Sequence, residues 1–167
     1  MQPSDLQRIF DYSYWANARL FAAIEPLSAE QFAAPVAGSY GSIRNTLVHV
    51  LSAEWGWLDR CGGPSRGDAL KPENFPTLDA LRQTWAEVEE HVRAFLVGLS
   101  DADVSRTVRF AFGGGPTHEM RVRDLLEHAA LHAVHHRGQV ALLLREQGVA
   151  PGNFDFLIYL AESERHP

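Results

Sequence analysis

Glu127-His128-Ala129-Ala130-Leu131-His132-Ala133-Val134-His135-His136-Arg137-Gly138-Gln139 carries four of the chain's eight histidines. At the 3.6-residue period of an α-helix, side chains four apart stack one turn above each other. His128, His132 and His136 therefore fall on one stripe, which also holds Leu125, Ala129, Val140 and Leu143. Glu127, Arg137 and Arg145 project from the other side, so the histidines face the interior of a fold. Two imidazoles a turn apart can hold one metal ion, and leaving buried ring nitrogens unpaired costs about 1–3 kcal/mol per group. Spacing alone leaves the pairs His128/His132, His132/His136 and His132/His135 equally open.

The rest of the chain reads as partners for this helix. Leu6, Ile9, Phe10, Ser13, Asn17, Leu20, Phe21 and Ile24 share one face of a helix over about 4–24, with Asn17 as its polar exception. Pro26, Pro35 and Gly38 mark a loop with a short turn at 29–33. Ser42 caps a second helix over about 43–60, whose apolar stripe of Ile43, Leu47, Val50, Leu51, Trp57 and Leu58 encloses Glu54. His49 lies on a different face with Thr46, Ala53 and Gly56, and no carboxylate stands four residues from it. A metal at His49 needs ligands from other helices.

The connection from Cys61 through Gly62-Gly63-Pro64-Ser65-Arg66-Gly67 to Pro76 is long for adjacent antiparallel helices and predicts a crossover. Thr77 caps a third helix reaching about 99, with Leu78, Leu81, Trp85, Val88, Val92, Phe95, Leu96 and Leu99 inward. Val108, Phe110 and Phe112 then alternate with polar or small residues before Gly113-Gly114-Gly115-Pro116, which predicts a short hairpin. The histidine helix follows over about 121–147, ended by Gly148, and a short helix covers about 155–164. The expected fold is all-α: one domain over 1–167, a four-helix bundle with a crossover between its second and third helices, a short hairpin before the last long helix and a short C-terminal helix.

Composition narrows the function. The chain has 167 residues, 46% of them hydrophobic and 22% charged, as in ordinary globular domains. A formal charge of -6, with Lys71 the only lysine, argues against a nucleic-acid partner. The N-terminus lacks the pattern of a signal peptide, and no apolar run approaches the ~18 residues of a membrane span. With Cys61 as the only cysteine, the expected location is the cytoplasm.

Several segments together resemble the DinB-like family. His132-Ala133-Val134-His135-His136-Arg137-Gly138-Gln139, followed by Leu142, Leu143, Gly148, Pro151, Asp155 and Tyr159-Leu160, looks like its C-terminal signature. Tyr14-Trp15-Ala16-Asn17 resembles its first-helix motif, and Ser42-Ile43-Arg44-Asn45-Thr46-Leu47-Val48-His49 its second-helix histidine motif. The resemblance implies a four-helix bundle with long crossover connections and a three-histidine divalent metal site with His49, His132 and His136 as ligands, for zinc or nickel first and iron or manganese next. His128 and His135 then become neighbours of the site. Gln139, Asn17 and Glu54 are pocket candidates, each with helix-to-helix bonding as its competing role. Arg137 is expected to hold the fold or lie at the surface, His91 to be solvated, and Cys61 to be an ordinary thiol; His118 and His166 carry no signal.

Three protein ligands leave a coordination position open, the pattern of catalytic sites. Characterised members of the family and its mycothiol-dependent isomerase relatives include enzymes that use bacillithiol, mycothiol or another low-molecular-weight thiol on electrophilic small molecules. The resemblance thus implies a metal-dependent thiol S-transferase without a protein nucleophile. Alternatives are a metal-dependent hydrolase with Glu54 as acid/base, and a non-catalytic, stress-linked metal-binding module. A homodimer is also expected, from the resemblance and from Trp15 and Trp55, which stand off the inward stripes of their helices.

Overall fold

Ser42 Oγ accepts the amide of Asn45 at 2.9 Å and Thr77 Oγ1 that of Ala80 at 3.3 Å, so both helices begin where their capping residues stand. The computed structural model describes residues 2–63, 65, 67–111 and 114–164. Pro64 and Arg66 of the connection, Phe112 and Gly113 of the hairpin, and His166 lie outside the described residues. The elements are α1 (Pro3–Ile24), α2 (Ala29–Ala33), α3 (Ile43–Arg60), a 3₁₀ turn (Pro72–Asn74), α4 (Leu78–Val97), α5 (Asp101–Ser105), β1 (Thr107–Ala111), β2 (Thr117–Arg121), α6 (Val122–Glu146) and α7 (Phe156–Ser163). Helix α5, capped by Ser100, is a single turn that hydrophobic periodicity is too short to reveal. Strands β1 and β2 pair antiparallel with Phe110 opposite His118, forming the expected hairpin ahead of α6.

The four long helices form a ring in which α1 touches α4 and α6, and α3 touches the same two. Side-chain contacts give the directions. Gln7 reaches the Leu96 carbonyl, Arg93 bonds Asp11, Phe21 packs on Trp85 and Glu25 pairs with Arg82, so α1 and α4 are antiparallel. His49 meets His132, Trp57 meets His128 and the Cys61 thiol faces the Val122 carbonyl, so α3 and α6 are antiparallel. Gln147 beyond α6 bonds the Gln31 carbonyl in α2, which brings the C-terminal ends of α1 and α6 together. Neighbours α3 and α4 must then run parallel. The connection between them returns the length of the bundle, the crossover that its length predicts.

Helix α6 buries two faces rather than one. Arg137 is only 1% exposed, with Nη1 donating to Ser13 Oγ at 2.8 Å and Asn17 Oδ1 at 3.0 Å in α1. It is a fold-holding residue and not a surface one, because the side of α6 away from the histidines is covered by α1. Asn17 is thereby engaged with Arg137. Glu54 is also buried, accepting a hydrogen bond from the Tyr14 hydroxyl at 3.0 Å, and burial pushes its carboxyl up to about 7.

No helix of the described residues is long and apolar enough to cross a membrane.

Glu54 makes stability depend on pH. Its folded-state proton affinity exceeds that of an unfolded glutamate near pKa 4.3, so stability falls as pH rises from there through about 7. Relative to Glu54→Gln, the wild-type protein is expected to lose about 1–3 kcal/mol between pH 5 and pH 8. Urea denaturation of both proteins at both pH values measures this; parallel pH profiles would remove Glu54 as the cause.

Candidate metal centre

His132 and His136 stand one turn apart on α6, and His49 comes from the facing side of α3. The His132 Nε2 atom lies 3.0 Å from His49 Nε2 and 3.1 Å from His136 Nε2. The ligand atoms of all three lie within 4.8 Å of one another, and His136 is buried while the other two are half-buried. Burial, followed by the neighbouring imidazole, pushes His49 and His132 down to about 4. Burial also lowers His136. All three are therefore neutral near pH 7, the form that a metal ion requires.

The donor set fits a cation. His136 Nδ1 sits 2.7 Å from Gln139 Oε1, an atom that only accepts, so Nδ1 carries the hydrogen and Nε2 presents a lone pair. A hydrogen on His132 Nε2 can point to only one of its two neighbours at a time. A divalent ion engages all three lone pairs together, so this cluster can hold one.

Among the pairs that spacing leaves open, His132/His136 is the one that His49 completes. His128 is exposed and packs edge-on to Trp57, with ring centroids 4.9 Å apart. His135 is exposed too, its Nε2 accepting from Gln139 Nε2 at 3.2 Å. Gln139 touches the cluster directly through His136. Asn17 and Glu54 belong instead to the buried contacts with Arg137 and Tyr14.

The loop before α3 supplies residues that periodicity does not reveal. Ser39 has φ 49, a left-handed conformation unusual outside glycine, between Gly38 at φ 87 and Gly41 at φ 82. This turn lays the Tyr40 ring on His49 with centroids 3.8 Å apart and brings it within 5.4 Å of the steeply inclined His136 ring. Ser39 Oγ donates to Gln139 Oε1 at 2.9 Å and meets Thr46 Oγ1 at 2.9 Å. The signal available in sequence was Gly38-Ser39-Tyr40-Gly41 directly before the Ser42 cap, with Thr46 on the His49 face.

A cleft of about 770 Å³ opens beside the cluster, with His49 and His132 at one end and Asp59 and Arg60 among its other lining residues. Trp55, Trp57 and His128 contribute aromatic wall. Cys61 is fully buried, and burial raises its thiol to about 12, so it supplies no nucleophile.

A family model described as the DinB family matches residues 1–166. Among named proteins, the chain is 24% identical to Protein DinB of Bacillus subtilis over 92% of each chain. It is 22% identical to the uncharacterized protein YizA of the same organism, over 91% of this chain and 94% of that one. Two crystal structures of DinB-like proteins share the fold. One, from Bacillus cereus, has TM-score 0.62 at 17% identity, covering 87% of this chain and 94% of its own. The other, YjoA from Bacillus subtilis, has TM-score 0.61 at 24% identity, covering 84% and 91%.

Elemental analysis of the purified protein is expected to find one divalent ion per chain, absent from His49→Ala, His132→Ala and His136→Ala. His128→Ala and His135→Ala should retain it. Gln139→Leu, which frees His136 Nδ1, should weaken affinity about 10–100-fold. Loss of metal in His128→Ala with retention in His136→Ala would reassign the ligands.

Proposed function

Because the chain belongs to the DinB family and its three imidazoles converge beside a cleft, we propose that it is a metal-dependent thiol S-transferase acting on electrophilic small molecules. His49, His132 and His136 are the ligands, and zinc or nickel suits them best, with iron or manganese next. A divalent ion held by three protein ligands keeps a position for a small molecule and lowers the pKa of a thiol or water there. In the net reaction the sulfur bonds to the electrophilic carbon, the leaving group departs with its electron pair and the thiol proton passes to solvent.

The chain's residues divide the remaining work. Gln139, itself held by Ser39, sets the ring orientation of His136, while Tyr40 covers one face of His49. The cleft takes the body of the thiol or its acceptor. The observation that carries this reading is that no carboxylate joins the histidine cluster among the described residues. A hydrolase needs a general acid/base close to the attacked bond, and Glu54 is committed to Tyr14 in the core. Thiol transfer needs no such group.

A homodimer belongs to the same reading, through a different surface from the tryptophans. Trp15 is covered by α7, donating its Nε1 hydrogen to Glu162 at 3.0 Å, and Trp55 packs against His91 beside the cleft. Away from the core, α6 carries exposed Leu131, Val134 and Leu142 around Gly138, where a surface helix ordinarily shows polar residues. Val134 and Leu142 stand four residues on either side of Gly138. A two-fold axis through Gly138 therefore lays each on the other in a second copy.

Light scattering at tens of micromolar protein should give twice the chain mass, with Leu142→Arg reduced to a monomer; a monomeric wild type would end the dimer reading. For the activity, bacillithiol, mycothiol, glutathione or coenzyme A is expected to add a sulfur charge-transfer band to the cobalt-substituted protein. The same thiol should be consumed with monochlorobimane only when metal is present, and His132→Ala should be inactive. Metal-dependent ester cleavage with no thiol response would favour the hydrolase, and silence in both assays the binding module.

A further inference from the structure

Helix α3 holds a glycine at position 56, well inside its span, where glycine is a poorer helix former than any residue but proline. Arg60 lies against this bare stretch of backbone. Its Nη1 donates to the Gly56 carbonyl at 2.7 Å, and its guanidinium lies over the Trp57 ring, 5.1 Å from the centroid. A Cβ on residue 56 would stand 3.1 Å from that same Nη1. The missing side chain thus lets Arg60 fold back one turn along its own helix, held by a carbonyl on one side and an indole on the other.

Arg60, Gly56, Trp57 and Asp59 all line the cleft whose other end is His49 and His132. Neither Arg60 nor Asp59 has an ion-pair partner among the described residues, and Arg60 Nε and Nη2 make no hydrogen bond there. A guanidinium fixed in place with part of its fork unused is a preorganised receptor for a carboxylate. Gly56 follows His49 by seven residues, which at the helical rise puts this receptor roughly 10 Å along the cleft from the histidines.

We infer that Arg60 binds a carboxylate on the substrate, at the end opposite the group that meets the histidines. The ligand is an elongated molecule, and on the thiol reading its sulfur sits at the histidine end. Asp59 and Asp68 line the same cleft, so a polyanionic phosphate terminus is disfavoured. A carboxylate beside an amine, the end group of an amino acid, suits one guanidinium in a cleft that also carries carboxylates. Gly56 is then a concession of helix stability to ligand binding.

The test separates this inference from the thiol chemistry it extends. S-Methylglutathione has no free thiol and can be titrated into the metal-loaded protein, with tryptophan fluorescence as the readout beside Arg60. It is expected to bind at least about tenfold more tightly than its diethyl ester. That preference should vanish in Arg60→Gln. Gly56→Ala should raise the melting temperature while weakening binding of the acid, an outcome that misfolding cannot produce. Equal affinity for acid and ester, an unchanged preference in Arg60→Gln, or no saturable response in the wild-type protein overturns the proposal. Bacillithiol, mycothiol, glutathione and coenzyme A added to the cobalt form report separately: no charge-transfer band with any of the four, with the acid preference intact, rejects the thiol reading and leaves the carboxylate receptor standing.

Discussion

His136 and Arg137 are consecutive, and they point into different helix interfaces. Arg137 reaches α1 through Ser13 and Asn17, whereas His136, with His132, meets His49 of α3. Rotating α6 to improve one contact would break the other. The rotation matters because an uncompensated buried guanidinium is among the most destabilising features a core can carry. Tyr12 lies 5.4 Å from the Arg137 guanidinium, and Glu54 favours its charge electrostatically. The histidine geometry therefore depends on a polar anchor on the opposite flank of the same helix.

The second support comes from the 38–41 loop. Ser39 takes a backbone conformation that costs free energy in a non-glycine residue. In return its hydroxyl holds Gln139, and the next residue, Tyr40, covers His49. Gln139 joins three side chains, accepting from Ser39 and His136 and donating to His135. The tautomer of His136 is thus set by a loop that precedes it by about a hundred residues in the chain.

Local sequence was enough for the four long helices, the caps at Ser42 and Thr77 and the hairpin, because each follows from side-chain periodicity or a single capping hydroxyl. It was enough for most of the inward face of the histidine helix, since Leu125, Ala129, Val140 and Leu143 are buried with His136, but His128 on the same stripe is exposed. Periodicity could not choose among the histidine pairs. His128, His132 and His136 are equivalent by spacing, and they differ only in what stands across from them: Trp57 for His128, His49 for the other two.

Tertiary packing decided the remainder. Asn17 and Glu54 read as pocket candidates because each is polar on an apolar stripe, yet the bundle spends them on Arg137 and Tyr14. Arg137 read as either fold-holding or surface, because a one-sided helix has a solvent face opposite its core; α6 touches two helices and buries both flanks, which leaves the fold-holding role. Tyr40 and Ser39 sit in a loop with no period to analyse. What the chain determined by itself was which residues share a helix face and where the long helices begin, since these are set by neighbours within a few residues. Which faces meet, and so which three imidazoles converge, was decided only by the crossover that returns α4 parallel to α3, and by the contacts that lock α6 between α1 and α3. Those depend on residues far apart in the chain.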